Sequence, residues 1–304
     1  MNYKYLVTIF TPTYNRAGLL RRLYESLKEQ SNKDFEWIIV DDGSKDNTKE
    51  VVEGFIKEDV IPIKYLKKEN EGKHIAINVG CHMAEGELFF IVDSDDYIPK
   101  DAIEEVKKDW KKYRNNKSIA GLVYLKAWEN GNLMGRKFEK DEFISNHVKE
   151  YNKGSKWGEK AEILKTEIVK KYKFPKYDNE KYIGENVLWI EVSRKYDLVY
   201  INKVIYIAEY LEDGLTMSGR RLRVENPLGS MKSAEVLMKN DINLRIRFKN
   251  YWLYSTYGFF AKIKIKDLYK NVQSKLMVTI TIPLGFLLYL YWKKKCYEGE
   301  KIWK

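Results

Sequence analysis

The chain has 304 residues, 44% of them hydrophobic and 14% aromatic, enough for one large domain or a domain with an appendage, and it carries no repeat and no low-complexity linker. Its net charge of +11 admits nucleic acid, anionic lipid or an anionic substrate as partner, but no nucleic-acid motif is present and the lysines are spread along the chain, so no nucleic-acid partner is expected. Cys81 and Cys296 give no disulfide framework, and Met1–Tyr5 leads into a strand-like run and not a secretory signal, so a reducing, cytoplasmic setting is expected.

Leu6–Phe10 reads as the first strand, and Thr11-Pro12-Thr13-Tyr14-Asn15-Arg16 as a polar loop. Leu19, Leu20, Leu23, Tyr24 and Leu27 recur at helical spacing, which predicts an amphipathic helix over Ala17–Gln30. The strand Phe35–Val40, the helix Lys49–Glu58, the strand Ile61–Leu66 and a helix from about His74 to Ala84 follow. Leu88–Val92 is then a short apolar run, and Ile103, Val106 and Trp110 mark the next helix. This strict alternation over roughly 115 residues predicts an α/β fold, a mostly parallel sheet with helices on both faces. Ile119–Trp128 reads as a further strand with Asn130-Gly131 as a hairpin turn, Ile183–Arg194 as a helix and Leu198–Ile207 as a strand, while residues 133–180 carry no clear period. After Met217 the chain is helical and basic.

Two of the predicted strands end in acid. Leu88–Val92 runs into Asp93, Asp95 and Asp96, and Phe35–Val40 into Asp41 and Asp42. Unpaired carboxylates are too costly for a core, so these groups belong at the carboxyl ends of strands, where open α/β sheets bind ligands. Carboxylates clustered along one sheet edge repel one another, and a hard divalent cation with phosphate oxygens relieves that repulsion.

The Pro12-Thr13-Tyr14-Asn15-Arg16 loop, Val40-Asp41-Asp42-Gly43-Ser44, Asn78-Val79-Gly80, Ala84-Glu85-Gly86-Glu87 and Val92-Asp93-Ser94-Asp95-Asp96, in this order, resemble the family 2 glycosyltransferases of the GT-A fold, a Rossmann-like nucleotide-diphospho-sugar transferase fold. The resemblance is strong over residues 5–115 and continues weakly to about 217. It implies an inverting transfer of a sugar from a nucleotide-diphosphate donor, a UDP-sugar, to a glycan or lipid-linked acceptor. It places Pro12, Thr13, Tyr14 and Asp42 against the base, Asp41 and Asp93 toward the ribose, and Asp95 on Mn²⁺ or Mg²⁺; Asp96 reads as a partner standing behind that ligand or, the favoured reading, as the cap of the next helix. Lys73, and His74 beside it, lie on the side expected for the diphosphate. The family often supplies the base as the Asp of a Glu-Asp pair; here Asn186 stands in that place, so Glu185 is the candidate base, with Glu180 and Asp213 as alternates.

The expected organisation is a catalytic region 1–217, made of a nucleotide-sugar half 1–115 and an acceptor half 116–217, and a helical appendage 218–304. Leu276–Trp292 is uncharged, between Lys275 and Lys293-Lys294-Lys295. At 17 residues it is short for a spanning helix and suits an in-plane segment, which places the protein peripherally on the cytoplasmic face of a membrane. Two rivals share parts of this pattern: a sugar-1-phosphate nucleotidyltransferase, which carries a Gly-rich basic loop where this chain has Thr11-Pro12-Thr13-Tyr14, and a non-catalytic nucleotide- or lipid-binding module of the same fold.

Overall fold

The structure, a computed structural model, describes residues 3–155, 158–209, 215–270 and 272–297. The chain forms two compact units, one of residues 1–146, 155–174 and 192–210, the other of residues 147–154, 175–191 and 211–304.

In chain order the first unit contains β1 (Tyr5–Thr13), α1 (Ala17–Lys28), β2 (Phe35–Asp41), α2 (Thr48–Glu58), β3 (Ile63–Lys67), α3 (Lys73–Met83), β4 (Gly86–Ile91), α4 (Ala102–Tyr113), β5 (Ile119–Trp128) and β6 (Glu142–Ser145). The segment α5 (His147–Lys153) belongs to the second unit; β7 (Lys160–Lys165), α6 (Thr166–Val169) and β8 (Asp197–Ala208) return to the first. The eight strands make one sheet in the order β3-β2-β1-β4-β7-β5-β8-β6. The first four are parallel, as the alternation of strands and helices requires. β7 enters antiparallel between β4 and β5, and β5 pairs parallel with β8.

Two expectations are corrected. β1 runs on to Thr13, so Pro12 and Thr13 lie in a strand paired with Val40 and Asp41, not in a loop. The Asn130-Gly131 turn closes, with Gly131 at φ +81° and its N–H donating to Trp128 O at 2.9 Å, but it returns only a single bridge, Ala127 to Leu133. The long partners of β5 are instead β7 and β8, which come from far along the chain.

The helical spacing of α1 is used as expected: Leu20, Leu23, Tyr24 and Leu27 are buried. Tyr24 stacks on Phe55 of α2 at 4.0 Å between ring centres, and Trp37 of β2 lies beyond it, its indole N–H donating to Thr11 Oγ1 at 2.9 Å. Gly86 opens β4 against β1 so closely that a Cβ there would lie 2.3 Å from the Thr8 backbone nitrogen. Backbone cannot swing aside. Gly86→Ala is therefore expected to cost at least about 1–3 kcal/mol, the usual penalty of overpacking, read as a lower urea midpoint at an unchanged slope.

Besides α5, the second unit contains α7 (Asn186–Ser193, whose last two residues belong to the first unit), α8 (Leu215–Glu225), α9 (Pro227–Glu235), α10 (Leu244–Phe260), a 3₁₀ turn (Ile265–Tyr269) and α11 (Lys275–Tyr297). Met231, Tyr251, Tyr254, Tyr257, Leu268, Val278 and Trp292 form its core. α10 and α11 touch at small residues: a Cβ on Gly285 would lie 2.7 Å from the Ser255 side chain, and the Ser255 and Thr281 hydroxyls are 3.1 Å apart.

Candidate active site

The strand directions decide where chemistry gathers. β4 and β5 are both antiparallel to β7, and β8 is parallel to β5, so β1, β2, β4, β5 and β8 all end on one edge of the sheet. That edge collects Thr13, Asp41, the Asp93–Asp96 loop, Lys126 and the Tyr206–Glu209 end of β8. It is the carboxyl edge, where α/β sheets present ligands.

The β1 and β2 loops are tied together. Asn15, at φ +51°, donates its N–H to Ser44 Oγ at 2.8 Å and accepts the Lys45 N–H at 2.7 Å through Oδ1. Pro12 is buried, and Tyr14 is 42% exposed, its ring open to a stacking partner. Thr13 is buried with its hydroxyl lacking a hydrogen-bond partner, which a native fold rarely tolerates and a ligand group would satisfy.

The two aspartates of β2 have separate tasks. Asp41 is fully buried, accepting the Ser44 N–H and the Tyr65 hydroxyl at 2.7 Å each, which anchors the end of β2. Asp42 accepts the Glu71 N–H at 2.9 Å, the Gly72 N–H at 2.7 Å and the Lys68 ammonium at 2.6 Å. It thereby fixes the loop that leads into α3. Asp42→Ala leaves two backbone donors and a lysine without their acceptor. We expect it to cost about 1–3 kcal/mol of stability and to weaken nucleotide binding, both checked by melting and calorimetry on the same variant; an unchanged melting temperature contradicts this assignment.

The acidic loop after β4 is divided by its partners. Burial works against the charge of Asp93, but Lys73 and Lys126 outweigh it and hold its pKa below the ordinary value; the Lys73 ammonium lies 2.6 Å from Asp93 Oδ1. The Tyr206 hydroxyl donates to Asp96 Oδ2 at 2.5 Å and accepts the Asp93 N–H at 3.1 Å, and the Glu209 N–H donates to Asp96 Oδ1 at 2.9 Å. Asp96 is therefore not the cap of α4, a place held by Asp101; it fastens the loop to the end of β8. Burial and the charge of Asp93 push the Asp96 carboxyl up to about 7. Asp95 is the under-compensated member. Burial and the Asp93 charge raise its pKa, and its own backbone N–H and the charges of Arg16 and Lys73 offset them only in part.

Three contributors were not anticipated from the sequence. The Lys126 ammonium lies 4.0 Å from the centre of the Tyr206 ring. It is the only charge in β5, and an isolated charge in an apolar strand is a signal that was available. Tyr206 gave no such signal. Arg22 of α1 donates to the Asp95 carbonyl, pairs with Glu209 and, at 2.7 Å, with Glu129, and lies 5.1 Å above the Tyr97 ring. It grips the acidic loop by its backbone and leaves the carboxylates alone.

Burial drives the His74 imidazole down to about 4, so this side chain is neutral at pH 7; its Nδ1 has no partner. Lys73 begins α3, after Gly72 at φ +95°. In the second unit, Glu180 spends both oxygens on the Leu228 and Gly229 N–H groups at 2.8 Å each, at the start of α9. Glu185 is half-buried just ahead of α7, with its carbonyl accepting the Leu188 N–H at 2.9 Å. Asp213 lies outside the described residues.

Among the described residues no group of three or more His, Cys, Asp or Glu is arranged to hold a metal ion unaided. The donor set fits a hard cation that takes one carboxylate, Asp95, and fills its remaining positions from phosphate and water.

Residues 8–166 match the family model described as Glycosyl transferase family 2. A GalNAc(5)-diNAcBac-PP-undecaprenol beta-1,3-glucosyltransferase of Campylobacter jejuni is 28% identical over 299 residues, 93% of this chain and 92% of that protein. Among solved structures, S. aureus TarS in complex with UDP-GlcNAc superposes with a TM-score of 0.64 at 19% identity, covering 97% of this chain and 92% of that one. The mannosyltransferase PcManGT of Pyrobaculum calidifontis, in complex with GDP-Man and Mn²⁺, does so with a TM-score of 0.57 at 16% identity, covering 95% and 88%. These structural likenesses show the fold, GT-A.

Proposed function

Because this chain belongs to glycosyl transferase family 2 and is a glycosyltransferase, we propose that it transfers a sugar from a UDP-sugar to a lipid-linked or polysaccharide acceptor, with inversion at the anomeric carbon, in the synthesis of cell-surface glycans. The acceptor class follows the undecaprenol-linked glycan in the name of the Campylobacter relative. The donor class follows the nucleotide sugars bound by the two structural neighbours, and a UDP-sugar is the donor that the family resemblance implies.

The observation that carries this reading is the Asp93–Asp95 loop, one carboxylate paired to a lysine and the next left with its charge under-compensated on the same strand end. Mn²⁺ or Mg²⁺, held by Asp95 with the diphosphate oxygens, would supply neutralisation of charge on the leaving nucleotide. Pro12, Thr13 and Tyr14 would hold the nucleoside, with the Thr13 hydroxyl finding its partner there and Tyr14 stacking on the base. Asp42 and Asp41 would shape that pocket, and Lys73 would meet phosphate beside Asp93. Glu185 would take the proton of the acceptor hydroxyl as the bond to the anomeric carbon forms. We keep residues 1–217 as the catalytic region, with 1–115 for the donor and 116–217 for the acceptor, and 218–304 as the appendage that brings the enzyme to the cytoplasmic face of a membrane.

A thermal-shift screen of nucleotide sugars with and without Mn²⁺ tests this reading. A ligand at 100 times its dissociation constant stabilises by about 2.7 kcal/mol. The largest shift is expected from a UDP-sugar with Mn²⁺. Equal shifts in the presence of chelator remove the metal from the proposal, and no shift with any nucleotide sugar removes the donor.

A further inference from the structure

The net charge of the chain is not distributed as its lysines are. Residues 244–297 hold eleven Lys and Arg against one acid, Asp267, whereas in the rest of the chain 44 Lys and Arg nearly cancel 43 Asp and Glu. Almost all of the +11 therefore belongs to the α10–α11 hairpin.

The same hairpin exposes an apolar stripe. On α11, Leu276, Ile280, Leu287, Leu290 and Tyr291 follow one another at helical spacing on the open side, with Leu276 70% and Leu287 63% exposed. The opposite side, with Val278, Thr281, Gly285 and Trp292, is buried on α10 and its neighbours. The stripe runs about 22 Å along the helix. Lys275 stands at one end and Lys293, Lys294 and Lys295 at the other.

We propose that this stripe lies in the plane of an anionic lipid surface, with the lysines at both ends among the headgroups. This deepens the membrane placement put forward above by naming the face and the lipid charge. Helix α11 is long and apolar enough to cross a bilayer, but its inner side is engaged with α10. α10 cannot cross beside it. Its uncharged stretch, from Asn250 to Ala261 between Lys249 and Lys262, spans only about 18 Å of a hydrocarbon core of about 30 Å. A half-buried helix with an apolar outer face and cationic ends satisfies all its groups when it lies flat. The excess of cations selects anionic lipid over a neutral surface and over a second, equally cationic copy of the chain.

Flotation of the full chain with vesicles tests the proposal. Binding is expected to phosphatidylcholine mixed with phosphatidylglycerol and not to phosphatidylcholine alone, with release at 1 M salt, where screening shortens to ~3 Å. Leu287→Glu combined with Leu290→Glu is expected to weaken binding by roughly tenfold or more while the nucleotide thermal shift stays unchanged. That shift reads the donor site separately, so a failure of the lipid proposal leaves the glycosyltransferase reading standing, and the reverse. If the double variant is misfolded, replacement of Lys293, Lys294 and Lys295 by Gln decides: loss of vesicle binding supports the proposal and full binding overturns it. Full vesicle binding by a folded leucine variant overturns it too. So does a parent that ignores anionic vesicles, one that stays in them at high salt and alkaline carbonate as a spanning helix would, or one whose stripe instead mediates a dimer.

Discussion

Asp95→Ala is expected to lower transfer by about 10³-fold, equivalent to some 4 kcal/mol of lost charge stabilisation, and to remove the Mn²⁺ dependence of donor binding in calorimetry. The fold should not suffer. Asp95 is held in a place that disfavours its charge, first by burial and then by Asp93, so its folded-state pKa is raised. A carboxylate with a raised pKa costs stability above its unfolded pKa, and that cost vanishes as the pH falls below it. The metal-free variant should therefore melt at or above the parent at pH 7, with the difference closing as the pH falls through the carboxylate range. An Asp95→Ala protein that melts well below the parent at pH 7 and binds donor as the parent does contradicts both halves of the assignment.

Glu185→Gln is expected to lower kcat by ~10²–10⁴ with little change in nucleotide affinity, since a base meets the acceptor and not the donor. An acid that merely interacts with a helix start behaves otherwise: its loss costs about 0.3–1 kcal/mol of stability and leaves the rate alone. Turnover and melting temperature must come from the same variant. The structure narrows the field, because Glu180 has both oxygens engaged on the N-terminus of α9. Asn186→Asp restores the acid pair common in the family and is the complementary variant. Parent-like turnover in Glu185→Gln together with a faster Asn186→Asp moves the base away from Glu185, and Asp213 is then the carboxylate to replace.

The parallel half of the sheet was legible because each of its strands is a short apolar run closed by a helix of amphipathic spacing, and the acids that end Phe35–Val40 and Leu88–Val92 have no place in a core. Strand β7 was not legible. Lys160-Ala-Glu-Ile-Leu-Lys165 is rich in helix formers, and only pairing with β4 and β5 makes it a strand. The allotment of the acids was likewise hidden, since the partner of Asp96 is Tyr206, 110 residues away, and Asp42 is claimed by the loop at Glu71 and Gly72. Local pattern shows that a carboxylate must leave the core, but not which distant donor will meet it.

The place of β7 also governs how the protein is made. Leu88–Phe90 of β4 has no neighbour on its far side until Ile163–Lys165 arrives. At roughly 5–20 residues per second of synthesis, the nascent chain spends several seconds with a completed apolar strand open along one edge. Such an edge templates pairing with other chains. Fragments that end near residue 115, though they contain every residue proposed for the donor, keep that edge open permanently and should collect in inclusion bodies, whereas chains that extend past Lys165 close it from within.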